Sequence, residues 1–130
     1  MNNATFFFAE PKNEPVYSYA PNSKERELLE KELTEQYNKC IEIPLIINGK
    51  EVKTGDMGQI VMPTEHGHVL ATYHKATKET VQAAIDAAME ARKKWEKVDW
   101  IDRCSIMMKA AELLATKYRS VINAATMLGQ

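Results

Sequence analysis

The C-terminal part of the chain carries one apolar stripe that is too long for a small domain. Its members recur at helical spacing: Ile101, Cys104, Met107, Met108, Ala111, Leu114, Ala115, Tyr118, Val121, Ile122 and Ala125. A single helix from Trp100 to Leu128 would measure about 43 Å. A domain of 130 residues has a radius of gyration of only ~14 Å. The stripe therefore predicts either a break near Tyr118–Ser120 or a helix that belongs to a larger body.

Two shorter amphipathic segments precede this stripe, and each segment has a good N-cap residue at its start. Ser23 precedes one narrow apolar face, Thr77 precedes a second face that is rich in alanine, and Asp99 precedes the C-terminal stripe. The first two faces consist of Leu28, Leu29, Leu33 and Tyr37, and of Val81, Ala84, Ile85, Ala88 and Trp95. The pattern predicts three amphipathic helices, and small alanines allow another helix or a sheet to approach closely.

Strand signals lie between the first two helices. Asn48-Gly49 separates two apolar runs within Ile43–Val52, and this dipeptide is the strongest short hairpin signal because both residues tolerate positive φ. A second pair is predicted from Gln59–Met62 and Val69–His74, with a loop over Thr64–His68 between them. We expect four short strands in two pairs, which form an antiparallel patch.

The N-terminal residues carry no periodic pattern. Pro11, Pro15 and Pro21 punctuate this region, and a residue before proline is biased toward extended geometry. We therefore expect an extended arm over residues 1–22, followed by a folded part over residues 23–130.

Composition excludes several classes of function. Seventeen basic and eighteen acidic residues leave a formal net charge of −1, so no field attracts a polyanion and nucleic acid is a poor partner. No apolar run reaches the ~18–20 residues needed to cross a bilayer, and the N-terminal residues do not resemble a secretory signal or a mitochondrial presequence. Two isolated cysteines form no disulfide framework. The expectation is a cytoplasmic protein that contacts no membrane.

Few residues indicate chemistry. His66 and His68 could provide half of a zinc site if they shared one strand, but no further ligand pattern accompanies them, and a polar turn is the favoured interpretation. His74 is expected at the surface or only lightly packed. Cys104 lies on an apolar stripe, which favours a buried, inert thiol, and Cys40 is a weaker candidate for reactivity.

Other residue patterns have ordinary structural interpretations. The serines Ser23, Ser105 and Ser120 lack a G-x-S-x-G context, and the five glycines form no phosphate-binding motif. The basic cluster Arg92–Lys97 around Trp95 is interrupted by Glu96, so a solvated helix end explains it best. Met107 and Met108 are expected to fill the core.

Four strings resemble, in the same order, motifs of the aldehyde dehydrogenase family. Leu45–Val52 resembles its I-N-G-x-x-V hairpin, and Met62–Ala71 resembles its N-P-x-x-G-x-V-I-A strand pair, although Met62 replaces the usual Asn. Val81–Ala88 with Trp95 resembles its V-x-x-A-V-x-A-A…W helix. Asp102–Leu114 resembles its E-R-A-x-I-L-x-K-A-A-D-L-L helix. The match is collinear from residue 13 to residue 130.

Shorter strings narrow the resemblance to one group within the family. Asn13–Pro15, His66–His68 and Thr126–Gln130 resemble delta-1-pyrroline-5-carboxylate dehydrogenases, which oxidise glutamate 5-semialdehyde to glutamate with NAD in proline catabolism. The resemblance implies an α+β fragment of β-hairpins and three amphipathic helices. This fragment would be the N-terminal part of an aldehyde dehydrogenase α/β fold, with residues 23–130 forming an incomplete cofactor domain.

The same resemblance implies what this chain lacks. The family's catalytic cysteine lies in a G-Q-x-C context and its general base in E-L-G-G, and neither motif occurs around Cys40, Cys104 or elsewhere. We expect no catalytic, cofactor-binding or metal-binding residue here, no NAD on this chain alone, and no activity of its own. The implied partners are the remainder of the dehydrogenase and further copies in a homo-oligomer.

Two alternatives stay open from the sequence. One is a stand-alone, non-catalytic interaction module that presents an apolar patch to a protein partner. The other is a small metal-binding protein that uses His66 and His68.

Overall fold

A computed structural model describes Glu10 and residues 12–130 of the chain. Four helices and five strands make up this described part. The helices are α1 (Lys24–Asn38), α2 (Lys78–Trp95), α3 (Trp100–Ala115) and α4 (Arg119–Gly129), and the strands are β1 (Ile41–Ile43), β2 (Leu45–Ile47), β3 (Lys50–Val52), β4 (Met57–Met62) and β5 (Glu65–His74).

The predicted hairpin is confirmed as β2 and β3, which pair antiparallel with Leu45 opposite Val52. Asn48 and Gly49 form the turn with φ values of 51° and 71°. Both values lie in the left-handed region that a tight hairpin turn of this kind requires. Leu45 and Val52 are half-buried, whereas Ile46, on the opposite face, is largely exposed.

The expectation of an entirely antiparallel patch is wrong. Pro44 separates β1 from β2, because proline has no N–H to donate to a strand ladder. β1 pairs parallel with β5, with Ile41 opposite Ala71, and the larger sheet has the order β1-β5-β4. The result is a three-stranded mixed sheet and a separate two-stranded hairpin.

The second predicted pair is confirmed as antiparallel β4 and β5. The turn between them is shorter than expected, since it consists of Pro63 and Thr64 alone. β5 begins at Glu65, so His66 and His68 lie within a strand rather than in a loop. Register shifts beside Val61 absorb the mismatch between the two strands.

The three predicted N-cap positions are confirmed at Ser23, Thr77 and Asp99, but they differ in their hydrogen bonds. Thr77 forms a reciprocal capping box with Thr80, in which each backbone N–H donates to the other residue's hydroxyl oxygen, at 2.8 and 3.3 Å. Ser23 and Asp99 make no side-chain cap hydrogen bond. Local chemistry therefore defines the start of α2 most strongly.

The long C-terminal stripe breaks into two helices, which gives four helices instead of three. α3 ends at Ala115, and Thr116 leaves helical geometry with φ −121° and ψ −87°. The Thr116 hydroxyl donates to the carbonyl of Glu112 at 2.6 Å, a local bond that competes with helix continuation. The break allows α4 to return against α1, where the Gln36 amide donates to the carbonyl of Val121 at 3.0 Å.

The small core lies where α4 meets α1 and the sheet. Ala71, Ala124 and Leu128 are its buried apolar residues among those described, and they come from β5 and α4. None of the described large side chains is fully buried. The described part of the chain therefore encloses far less apolar volume than a self-contained domain would.

The described part of the predicted arm, from residue 12 to residue 20, has no regular secondary structure. It follows an irregular path, because Tyr19 and Asn22 adopt positive φ. Arg119 at the start of α4 holds it by donating to the carbonyl of Pro15 at 2.8 Å and by lying 4.2 Å from the ring centroid of Tyr17. Residues 1–9 and Pro11 of the predicted arm lie outside the described residues.

Gly58 on β4 provides the first testable prediction. A β-carbon at this position would clash with the ring of Tyr73, which lies across the glycine from β5. We expect Gly58→Ala to lower the free energy of unfolding by about 1–3 kcal/mol, as overpacking does elsewhere. Urea denaturation monitored by circular dichroism measures this change.

The matched control is Gly67→Ala on β5, where a β-carbon meets nothing within 4 Å. We expect a change within about 0.5 kcal/mol there. Equal losses for the two variants would contradict the packing argument.

Candidate functional site: uncovered apolar faces and a histidine cluster

Two helices present apolar side chains that the described residues cover only in part. On α2, the face predicted to pack is open, and Ile85 is 51% exposed. On α3, Met107 is 61% exposed. The other large apolar side chains of these two helices that are more than a third exposed are Val81, Met89, Trp95, Trp100, Ile106, Met108 and Leu114. These faces are typical of surfaces that pack against another body.

The accessible area of the chain is large for its mass. The chain exposes 10596 Å², whereas a folded monomer of 14.8 kDa exposes about 7,000 Å². An upper bound of about 1,700 Å² for the residues outside the description leaves an excess on the order of 2,000 Å². This excess is larger than the area of about 800 Å² that each partner buries in a standard protein interface.

A groove of about 490 Å³ lies between α1, α4 and the three-stranded sheet. Its apolar floor includes Ile41, Ile43, Ile60, Leu70 and Val121, with α1 side chains such as Glu32 and Glu35 among its other lining residues. Lys39 at the end of α1 is a third titratable residue of the lining.

One polar cluster is centred on His74, which is 6% exposed. Its Nε2 lies 2.9 Å from Oε1 of Glu42, and its Nδ1 accepts a hydrogen bond from the backbone N–H of Gly55 at 3.2 Å. Lys53 lies 2.9 Å from the same oxygen of Glu42. Hydrogen bonds from His74 and then from Lys53 lower the pKa of Glu42, and the bond to Glu42 raises the pKa of Lys53.

A second cluster joins the end of α1 to β5. The rings of Tyr37 and His68 stack at 4.0 Å between centroids, and His68 Nε2 donates to the carbonyl of Tyr37 at 2.8 Å. The Tyr37 hydroxyl donates to Glu65 at 3.0 Å, and this bond, with the carboxylate charge, raises the pKa of Tyr37. His68 therefore has a structural role in the described chain.

The other residues singled out in the sequence are two histidines, two cysteines and two methionines. His66 and His68 do share a strand, yet among the described residues no group of three or more His, Cys, Asp or Glu side chains could hold a metal ion. The expectation of a buried Cys104 is wrong, since its thiol is exposed on the uncovered face of α3, and Cys40 is exposed too. The expectation that Met107 and Met108 fill the core is wrong for the same reason.

The basic cluster at the end of α2 lies at the surface. Lys93 pairs with Glu90 at 2.6 Å and Arg92 with Glu96 at 3.5 Å, which fits a solvated helix end. None of the described helices is both long and apolar enough to cross a membrane.

The burial of His74 is what sequence reasoning missed, since it was expected near the surface. Its partners Glu42 and Gly55 are distant in sequence. The parallel pairing of β1 with β5 brings Glu42 to it, and the antiparallel pairing of Met57 with His74 brings Gly55. Strand alternation places His74 on the face of Thr72, opposite Ala71, and nothing local marks the buried site.

Comparison with known proteins identifies the family of this chain. The model of the aldehyde dehydrogenase family matches residues 51–128. The chain therefore belongs to the aldehyde dehydrogenase family, whose members are oxidoreductases.

The chain is similar to proteins named delta-1-pyrroline-5-carboxylate dehydrogenase. It is 44% identical over 128 residues to the delta-1-pyrroline-5-carboxylate dehydrogenase of Agaricus bisporus, covering 98% of this chain and 23% of that protein. It is 39% identical over 120 residues to the mitochondrial enzyme of that name from Dictyostelium discoideum, covering 92% and 22%. The narrower resemblance found in the sequence is confirmed.

A solved structure confirms the fold prediction. The crystal structure of the delta-pyrroline-5-carboxylate dehydrogenase from Mycobacterium tuberculosis, bound with NAD, matches with a TM-score of 0.93 at 38% identity. The match covers 98% of this chain and 24% of that one. The chain thus has the fold of the N-terminal part of an aldehyde dehydrogenase, and it spans less than a quarter of the length of these relatives.

A dinucleotide site commonly places a glycine-rich turn at the start of a helix, where backbone N–H groups face the pyrophosphate. The two positive-φ glycines described, Gly49 and Gly55, lie instead in the hairpin turn and in the loop before β4.

The pKa shift of Glu42 predicts a pH dependence of stability. Because the folded chain lowers the pKa of Glu42, its contribution is complete above the unfolded value of about 4.3 and is lost as the pH falls through the lower folded value. We expect the difference in urea midpoint between wild type and Glu42→Gln to shrink as the pH falls below ~4.3.

The control is Glu35→Gln, an exposed position on α1. We expect its midpoint to follow that of wild type over the same pH range. A Glu42→Gln curve that runs parallel to the wild-type curve would refute the assignment.

The uncovered faces predict self-association of the isolated chain. We expect a mass by sedimentation above the monomer mass of 14.8 kDa, together with binding of a hydrophobic dye. Exposed apolar patches of this size favour association because association removes them from water. Charged substitutions at Ile85 and Met107 should reduce both signals. A monodisperse wild-type monomer that does not bind the dye would contradict this expectation.

Proposed function

We propose that this chain is the N-terminal segment of a delta-1-pyrroline-5-carboxylate dehydrogenase. The whole enzyme would oxidise glutamate 5-semialdehyde to glutamate in proline catabolism, with NAD as the acceptor of the hydride. The proposal rests on the relatives of that name and on the small share of their length that this chain spans. The NAD-bound structural neighbour supports the choice of cofactor.

The role of the segment within that enzyme would be to complete the fold. The single observation that carries this role is the open apolar surface of α2 and α3. Residues 23–130 would form an incomplete cofactor domain whose faces pack against the remaining dehydrogenase chain, and residues 1–22 would form an arm along it. We place no catalytic, cofactor-binding or metal-binding residue in this segment, so it would be inactive alone.

Assembly and location extend the same proposal. Exposed apolar surface beyond the contact with the remaining chain would contribute to a homo-oligomer. A cytoplasmic location is part of the proposal, and the relative from Dictyostelium discoideum is named as mitochondrial.

The second candidate is a stand-alone interaction module, and the same exposed faces favour it. The two functions differ in the partner that covers α2 and α3. In the dehydrogenase proposal the partner is the catalytic part of the enzyme, and in the alternative it is an unrelated protein.

A complementation assay tests the proposal. The chain is co-expressed with the Agaricus bisporus enzyme from which the matching N-terminal segment has been deleted, and NADH formation from glutamate 5-semialdehyde is measured. We expect neither part alone to exceed a boiled control, and the pair to restore activity. Failure of the pair, with this chain folded, would favour the interaction module. Turnover by the chain alone would overturn the claim of inactivity.

Two variants of α2 sharpen the assay. Ile85→Lys introduces a charge into the face that would be buried, and we expect it to reduce restored activity at least about tenfold, since an unpaired buried charge is costly. Ala83→Lys is the matched control, because Ala83 is exposed and helical spacing places it about 160° from Ile85 around α2, on the opposite face. It should retain most of the restored activity.

A further inference from the structure

His74 occupies one defined tautomer in the described structure. The backbone N–H of Gly55 donates to Nδ1, so Nδ1 holds a lone pair rather than a proton. The ring proton therefore lies on Nε2, which donates to the carboxylate of Glu42. Both ring nitrogens are occupied in a site that is nearly closed to solvent, and each one holds a different segment of the chain.

These two segments are the entry and the exit of the β2–β3 hairpin. Glu42 lies on β1, two residues before Pro44 leads into β2, and Gly55 lies three residues after β3 ends at Val52. The ion pair between Glu42 and Lys53 joins the same two ends at 2.9 Å. The hairpin forms its own two-stranded sheet, so the contacts at its ends orient it against the larger sheet.

Several charged groups surround this site. Glu42 approaches His74 from β1, Lys53 approaches Glu42 from the loop after β3, and Lys75 follows His74 at the end of β5. Lys75 pairs with Asp56 at 3.3 Å, and its N–H donates to the Asp56 carbonyl at 2.8 Å. These bonds hold Asp56, the residue after Gly55, without involving the imidazole ring.

We propose that His74 is a proton-sensitive latch that fastens the exit of the β2–β3 hairpin to the three-stranded sheet. A proton on Nδ1 turns this nitrogen from an acceptor into a donor. It can then no longer accept the N–H of Gly55, so that hydrogen bond is lost. The imidazolium keeps its contact with Glu42 and gains opposite charge there. Proton uptake thus releases the amide of Gly55 while β1 stays attached. Lys53 remains paired with Glu42, and the Thr54 hydroxyl still donates to the carbonyl of Lys75 at 2.9 Å, so the release is local to Gly55.

Hydrogen exchange at the Gly55 amide tests the latch. Protection is measured on this chain at pH 8 and at pH 5 and is corrected for the intrinsic rate at each pH. We expect the protection of Gly55 to fall at least about tenfold at pH 5, while the amide of Lys75 keeps its protection. Unchanged protection at Gly55, or an equal loss at both amides, would overturn the proposal.

Two variants separate His74 from general effects of acid. His74→Asn places a carbonyl oxygen near the position of Nδ1 and takes up no proton, so Gly55 should keep similar protection at both pH values. His66→Asn is the matched control, because His66 is exposed on the same strand, and it should show the wild-type loss. Loss of the pH response in His66→Asn, or its persistence in folded His74→Asn, would refute the latch.

A direct measurement on the wild type does not depend on the variants. Nitrogen chemical shifts of ¹⁵N-labelled histidine report the tautomer, and at pH 8 we expect a proton on Nε2 and none on Nδ1 of His74. A proton on Nδ1 at pH 8 would exclude the bond from Gly55 and with it the proposal.

Discussion

The uncovered apolar faces of α2 and α3 are the constraint on which the rest of this structure depends. Folding normally removes such surface from water, and each buried Å² contributes about 25 cal/mol. Here the described residues bury three apolar side chains, Ala71, Ala124 and Leu128, and none of the three lies on α2 or α3. Within the described chain, these two helices therefore gain little stabilisation from burial.

Local and intermediate contacts nevertheless define the shape of the chain. α4 returns against α1 because α3 ends at Ala115, and Arg119 then fastens the arm through the carbonyl of Pro15. On the other side, the cluster around His74 joins β1, β5 and the ends of the hairpin. The chain thus holds its elements through polar contacts and a small core, while its largest apolar surfaces stay exposed.

Much of the local structure could be predicted because it depends on neighbours in sequence. Asn48-Gly49 specifies its turn through the backbone freedom of two residues, and Thr77 specifies a helix start through a bond to Thr80 three positions away. The family could be recognised for a related reason, since collinear strings preserve the order of these elements. The open faces themselves could not be located, because an apolar stripe looks the same whether its partner is present or absent; Cys104, Met107 and Met108 were assigned to a core for that reason.

By itself, the sequence determined the hairpin, the helix starts, the family resemblance and the lack of the family's catalytic motifs. Only the tertiary structure decided that β1 pairs parallel with β5, that His74 is buried between Glu42 and Gly55, and that α2 and α3 remain uncovered. The physical reason is the range of the interactions involved. Turns and caps are satisfied within a few residues, whereas burial and strand pairing depend on which distant segments meet.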